Sequence, residues 1–220
     1  MKTLRTNLIT LTLLTAVIPA LQGCFPVVAA GAGAGTMMLV DRRPSEVYLA
    51  DEAAEIRAMN RVNEKFGDKV HINLTSYSLK MLITGEVPDA ATKEEVEQLV
   101  LAVPNVKGVV NEILVAGNSS FGSRSNDSYI TAKVKGRFIE AGKFRSYHVK
   151  TVTEGTVVYL LGMVTNKEAE DATELARTTA GVRKVVRAFE IITDADAQRI
   201  DHDTPEEKKK RQQQALKNQP

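Results

Sequence analysis

Cysteine is almost absent: Cys24 is the only one in 220 residues, so no disulfide can form within the chain. Histidine is nearly as scarce, with three. No Ser-His-Asp arrangement at readable spacing and no pair of carboxylates isolated among apolar residues are present. No catalytic residue is therefore assigned, and the chain is expected not to be an enzyme. Beyond residue 23 no stretch is long and apolar enough to span a bilayer. The glycine-rich run 31–35 lacks both a preceding strand and a following Lys-Ser/Thr, which excludes a phosphate loop. A strong overall charge is missing too, the formal net charge being +2.

What is there begins with an export segment. Lys2 and Arg5 supply a positive start, and residues 8–21 form an apolar run broken by threonines and Pro19. Leu21-Gln22-Gly23-Cys24 follows. This end resembles a bacterial lipobox, although Gln22 departs from the small residue usual there. The resemblance implies cleavage before Cys24 and lipidation of that cysteine. Several acyl chains, at about 0.8 kcal/mol per buried CH₂, make such an anchor effectively permanent. Phe25 stands where an Asp would favour retention at the inner membrane. The expected location is therefore the outer membrane, lipid-anchored and facing the periplasm. Residues 1–23 are read as signal peptide and 24–50 as a lipidated Gly/Ala-rich linker.

The remainder contains an internal repeat. Residues 71–87 align without gaps on 148–164, sharing a His, a β-rich run and a Gly-x-Val frame. Val106-Lys107-Gly108-Val109-Val110 likewise matches Val182-Arg183-Lys184-Val185-Val186. Each copy reads as helix, two strands, helix, strand: 51–66, 70–76, 79–87, 89–103 and 107–115, then 127–141, 147–153, 156–164, 166–180 and 183–192. Asn126 or Asp127 is the expected N-cap of the helix at 127. Glu154-Gly155 supplies a hairpin turn, and Pro104 and Gly181 end the second helices. Gly85 and Gly162 close equivalent strands and suggest a bulge or a close backbone approach. The fold class is α+β: two tandem α-β-β-α-β modules at 51–116 and 127–193, each a three-stranded sheet packed by two helices. Residues 117–126 read as a Gly/Ser/Asn linker, and 194–220 as a solvated, mostly disordered charged tail.

The repeat resembles the BON domain. The stretches that carry the likeness are Asn126-Asp127, Ile130 to Lys135, Val157 to Thr165, and Gly181-Val182-Arg183-Lys184-Val185. A pair of such modules behind a lipobox is similar to the dual-BON lipoproteins of Gram-negative envelopes. The resemblance implies a role in envelope integrity and contact of the second module with anionic phospholipid.

Charge supports that implication independently. Residues 51–115 carry 7 Lys/Arg against 11 Asp/Glu, whereas 124–193 carry 12 against 8. An acidic module thus stands beside a basic one, and the basic one suits a polyanionic surface. A lipid-anchored envelope protein does not meet nucleic acid, so lipid headgroups are the expected partner. On the helix at 127–141, Ile130, Val134 and Phe138 make a core stripe. Tyr129, Lys133 and Arg137 make an adjacent stripe of one ring and two cations, which suits a headgroup layer. Lys135, Lys143 and Arg145 extend this candidate phospholipid-binding patch. His71 and His148 hold equivalent repeat positions, but the sequence offers no cluster to complete a metal site around either. They read as surface or packing residues, with no metal and no cofactor expected. The alternative reading is a protein-interaction adaptor, with the acidic module or the charged tail docking an envelope assembly or peptidoglycan remodelling partner.

Overall fold

The computed structural model describes residues 40–203, 206, 207 and 210. The signal segment, Cys24, residues 25–39 of the linker and most of the tail past residue 203 lie outside the described residues.

The first module runs α1 (Ser45–Phe66), β1 (His71–Tyr77), β2 (Lys80–Val87), α2 (Ala90–Leu101), then a third strand broken into β3 (Gly108–Asn111) and β4 (Leu114–Val115). The second runs α3 (Phe121–Ala141), β5 (Lys150–Glu154), β6 (Val157–Val164), α4 (Asn166–Arg177) and β7 (Lys184–Ile191), and is followed by α5 (Asp194–His202). This is the expected α+β order. In each sheet the hairpin's second strand is central: β2 is antiparallel to β1 and parallel to β3 and β4, and β6 stands in the same way between β5 and β7.

The same few residues build both copies. Asp51 accepts the N–H groups of Ser78 and Leu79 at 2.9 and 2.8 Å, and Asp127 those of Gly155 and Thr156 at 3.0 and 2.9 Å. A carboxylate inside the first helix thereby staples the turn of its own hairpin. Such turns point unpaired N–H groups inward, and a buried acceptor satisfies them. Gly85 and Gly162 mark the other end of the hairpins. A Cβ there would lie 1.9 Å from the His71 carbonyl oxygen and 2.4 Å from that of His148. The close approach expected from the sequence is therefore present in both copies.

Four expectations are corrected. Residues 45–50, read as linker, already belong to α1. Residues 121–126 are not linker but the first turns of α3, whose N-cap is Ser120, accepting from the Ser123 N–H at 3.2 Å. Asp127 is not a cap, because its carboxylate is committed to the hairpin. The tail likewise starts with a helix, α5, capped by Thr193 and burying Ala197 and Ile200. Its apolar periodicity is only two residues deep, too little to stand out in the sequence.

Each sheet is covered on one face by its helices. Ala54, Ala58 and Val62 of α1 meet Met81, Ile83 and Val87 of β2, and Ile130, Val134 and Phe138 of α3 meet Val158, Leu160 and Val164 of β6. Alternate strand residues point the opposite way. Tyr77 and Leu82 of the first sheet join Val157, Tyr159 and Leu161 of the second in a third apolar cluster. The modules therefore pack sheet to sheet, giving four layers of helix, sheet, sheet and helix. Both central strands are covered on both faces, which is why they read as near-continuous apolar runs.

A short strap ties the layers. Arg42 donates to Glu168 and Asp201 at 2.6 to 2.9 Å and to the Met163 carbonyl at 3.0 Å, all in or behind the second module. Its neighbour Arg43 donates to Asp51 at 2.7 Å and lies 4.1 Å from the Tyr77 ring centre, in the first. Burial opposes the charge on Arg42, but its hydrogen bonds to Asp201 and Glu168 outweigh that and raise its pKa.

Candidate functional site

α3 presents the most distinctive surface. Its inward side is fixed by Ile130, Val134 and Phe138, all 0% exposed. The opposite side follows from the 3.6-residue period. Phe121, Ser125, Tyr129, Ala132, Gly136 and Ile139 succeed one another at spacings of four and three and form one outward strip. Phe121 is 80% exposed, Tyr129 62% and Ile139 69%. Arg124 and Lys135 border the strip on one side, Lys133 and Arg137 on the other. Apolar rings in the middle with cations on both margins are what an interfacial helix presents.

The six residues singled out in the sequence are placed unequally. Tyr129 and Lys133 come together, with the ammonium 4.7 Å from the ring centre. Lys133 also donates to the Ala180 carbonyl. Arg137 is half-buried and donates to the Leu175 carbonyl at 2.7 Å and to the hydroxyls of Thr178 and Thr179 at 2.9 and 3.0 Å. It closes the C-terminal end of α4. Lys135 is exposed beside the strip. Lys143 and Arg145 lie past the helix: Lys143 pairs with Asp171 at 2.8 Å and Arg145 donates to the Tyr147 hydroxyl at 2.6 Å. Phe121 and Ile139 were missed. The spacing 121, 125, 129, 132, 136, 139 could have found them had 117–126 not read as linker.

The two equivalent histidines have opposite surroundings. His148 is buried, its Nδ1 has no partner, and burial, then the nearby Arg42, lowers its pKa to about 4. His71 instead meets carboxylates. Its Nδ1 lies 2.9 Å from Glu86 Oε2 and 3.9 Å from Glu154 Oε1. No spacing in the chain marks this cluster, because Glu154 belongs to the other module. Burial, then the neighbouring Glu86 and Asp127, raise the Glu154 pKa against the opposing pull of Asn73 and His71.

A hairpin stapled by a carboxylate from the preceding helix, with a third strand parallel to the hairpin's second, defines the module. The family model for the BON domain matches residues 53–117 and 126–193. The chain belongs to the BON-domain family and carries the domain twice. It is 32% identical over 174 residues to the outer membrane lipoprotein DolP of Haemophilus influenzae, covering 78% of this chain and 90% of that one. It is 28% identical over 155 residues to a 21 kDa hemolysin of Actinobacillus pleuropneumoniae, covering 70% and 80%. Among solved structures, the C-terminal domain of CdsD, a structural protein of the type III secretion system of Chlamydia trachomatis, superposes with a TM-score of 0.27 at 13% identity, covering 63% of this chain and 96% of that one. Among the described residues, no helix is long and apolar enough to cross a membrane.

Proposed function

We propose that this protein is a non-enzymatic envelope lipoprotein, anchored in the outer membrane through Cys24, that lays α3 of its second module on anionic phospholipid and thereby supports envelope integrity. The observation that carries the reading is the outward strip of Phe121, Tyr129 and Ile139 between Arg124 and Lys135 on one side and Lys133 on the other, on a module with a net charge of +4. Each cation near an anionic surface contributes about 1 kcal/mol. The rings add apolar burial at about 25 cal/mol per Å².

Vesicle binding tests it. The double substitution Lys133→Glu and Lys135→Glu is expected to weaken binding to phosphatidylglycerol-containing vesicles by at least about 2 kcal/mol. Arg137 is left in place because it holds the end of α4. Wild-type binding should fall as salt rises, since screening shortens the reach of each charge. A folded double variant that binds as wild type does would reject α3 as the membrane face. The anchor is tested separately: Cys24→Ser should leave the chain without lipid, and an unmodified mature N-terminus in the wild-type protein, read by mass spectrometry, would refute the tether.

A second reading rests on α1. Leu49 and Ile56 are 57% and 63% exposed on its outer side, within the acidic module. That surface suits a basic protein partner of the envelope rather than lipid. Cross-linking from α1 that captures only lipid vesicles would count against it.

A further inference from the structure

The geometry points to a divalent transition-metal site of the Zn²⁺ class formed by His71, Glu86 and Glu154 across the interface between the two modules.

Three ligand atoms, one from each residue, lie within 4.8 Å of one another. His71 and Glu86 are direct cross-strand partners on β1 and β2, and Asn73 and Thr84 are the next pair on the same face. That face is turned to the second module, whose Glu154 ends β5. The side chains of Glu86 and Glu154 are 8% and 5% exposed, and that of His71 is 15% exposed, which leaves an approach from solvent.

The carboxylates are aimed by their neighbours. Asn73 Nδ2 and Thr84 Oγ1 donate to Glu154 Oε2 at 2.6 and 3.3 Å, so Oε1 is the atom that faces His71. The Ser119 N–H donates to Glu86 at 3.1 Å, and the Ser119 hydroxyl lies 3.3 Å from His71 Nδ1. Donors that orient the ligand atoms are what a metal site requires beyond the ligands themselves. One ring N–H cannot serve two carboxylate oxygens at 2.9 and 3.9 Å, and the second carboxylate is left facing it beyond hydrogen-bonding distance.

A Zn²⁺ ion with bonds of about 2.0–2.2 Å places tetrahedral ligand atoms about 3.3–3.6 Å apart. The two distances from His71 reach that value by side-chain shifts of about half an ångström, and the carboxylate-to-carboxylate distance, which lies within 4.8 Å, by a shift of about 1.4 Å at most. One imidazole with two carboxylates selects a borderline cation over Ca²⁺ or Mg²⁺, which take oxygen ligands. The fourth position falls to water or to the Ser119 hydroxyl. Because His71 and Glu86 come from one module and Glu154 from the other, the ion would pin the two sheets together.

Calorimetric titration of the full chain in detergent with Zn²⁺ tests this. One ion per chain is expected, with micromolar or tighter affinity and no competition from millimolar Mg²⁺ or Ca²⁺. His71→Ala and Glu154→Gln should each weaken binding at least tenfold, whereas His202→Ala should not. Co²⁺ should give visible absorption of tetrahedral intensity, and Zn²⁺ should raise the unfolding temperature. Glu154→Asp keeps the charge and shortens the reach, so it should also lose tenfold while staying folded by circular dichroism. Absence of a wild-type site, or a site unchanged in both His71→Ala and Glu154→Asp, would overturn the proposal.

Discussion

The first and second modules share a skeleton and differ in what they turn outward. Asp51 and Asp127 do the same work, as do Gly85 and Gly162, and Arg61 and Arg137 each donate to a carbonyl at the end of the second helix of their module. The surfaces diverge. The exposed strip of α1, Leu49 and Ile56, sits in an acidic module, and that of α3, Phe121, Tyr129 and Ile139, in a basic one. A handful of buried polar contacts and glycines recurs in both copies, while the exposed face of the first helix differs between them.

The largest expected effect comes from breaking the staple, and it should be unequal. Asp51 is fully buried and also accepts from Ser76 Oγ at 2.6 Å and Arg43 Nη1 at 2.7 Å. Asp51→Ala strands four donors, one of them charged, and is expected to cost about 3–5 kcal/mol. Asp127→Ala strands two backbone N–H groups and no charge, at about 1 kcal/mol each because Gly155 and Thr156 are only half-buried. Denaturant unfolding should therefore rank Asp51→Ala as the worse lesion. Equal losses would mean that the Arg43 strap contributes nothing to the difference.

That asymmetry lies in contacts the sequence does not advertise. The repeat, its element order and the core stripe of Ile130, Val134 and Phe138 were legible because one-sided burial leaves a period. The sheet-to-sheet contact was not. A strand covered on both faces, such as Val157 to Val164, looks the same whether its second cover is a helix or another sheet. Glu154 read as a turn residue, and its meeting with His71 depends wholly on that contact. Arg42 and Arg43 read as the end of a linker, because their partners Glu168, Asp201 and Asp51 are remote in sequence. On α3, the charged stripe was legible but its apolar companion Phe121 was not, since it lay in a segment whose glycine and serines suggested no helix.

The histidine pair gives the next effect in size. His148 is faced by Arg42 and Arg145, by Asp201 at 3.7 Å and Glu168, and by the edge-on ring of Tyr147. Burial and Arg42 dominate and depress its pKa to about 4 from 6.5. The unfolded chain binds this proton more readily. The associated stability is thus complete above pH 6.5 and is lost as pH falls from 6.5 to about 4, to a total of about 3 kcal/mol. Wild type should lose stability between pH 6.5 and 5, at a slope approaching about 1.4 kcal/mol per unit. His148→Gln should flatten that slope, and an unchanged slope would show that His148 is not the titrating group.

The smallest expected effect sharpens the contrast between the two outward helices. Phe121→Ala and Tyr129→Ala each remove an exposed ring, so neither should shift stability by more than about 0.5 kcal/mol. Each should instead weaken vesicle binding, by about 1 kcal/mol for some 40 Å² of apolar surface no longer buried. Unlike the charge reversals, these losses should be insensitive to salt, because ring insertion is not a Coulombic term. Leu49→Ala and Ile56→Ala on α1 are the matched controls. They delete similar apolar area at the equivalent helix of the acidic module and should leave vesicle binding unchanged. If the α1 pair weakened binding as much as the α3 pair, the membrane would be touching both modules, and neither net charge nor the α3 strip would explain which face meets the lipid.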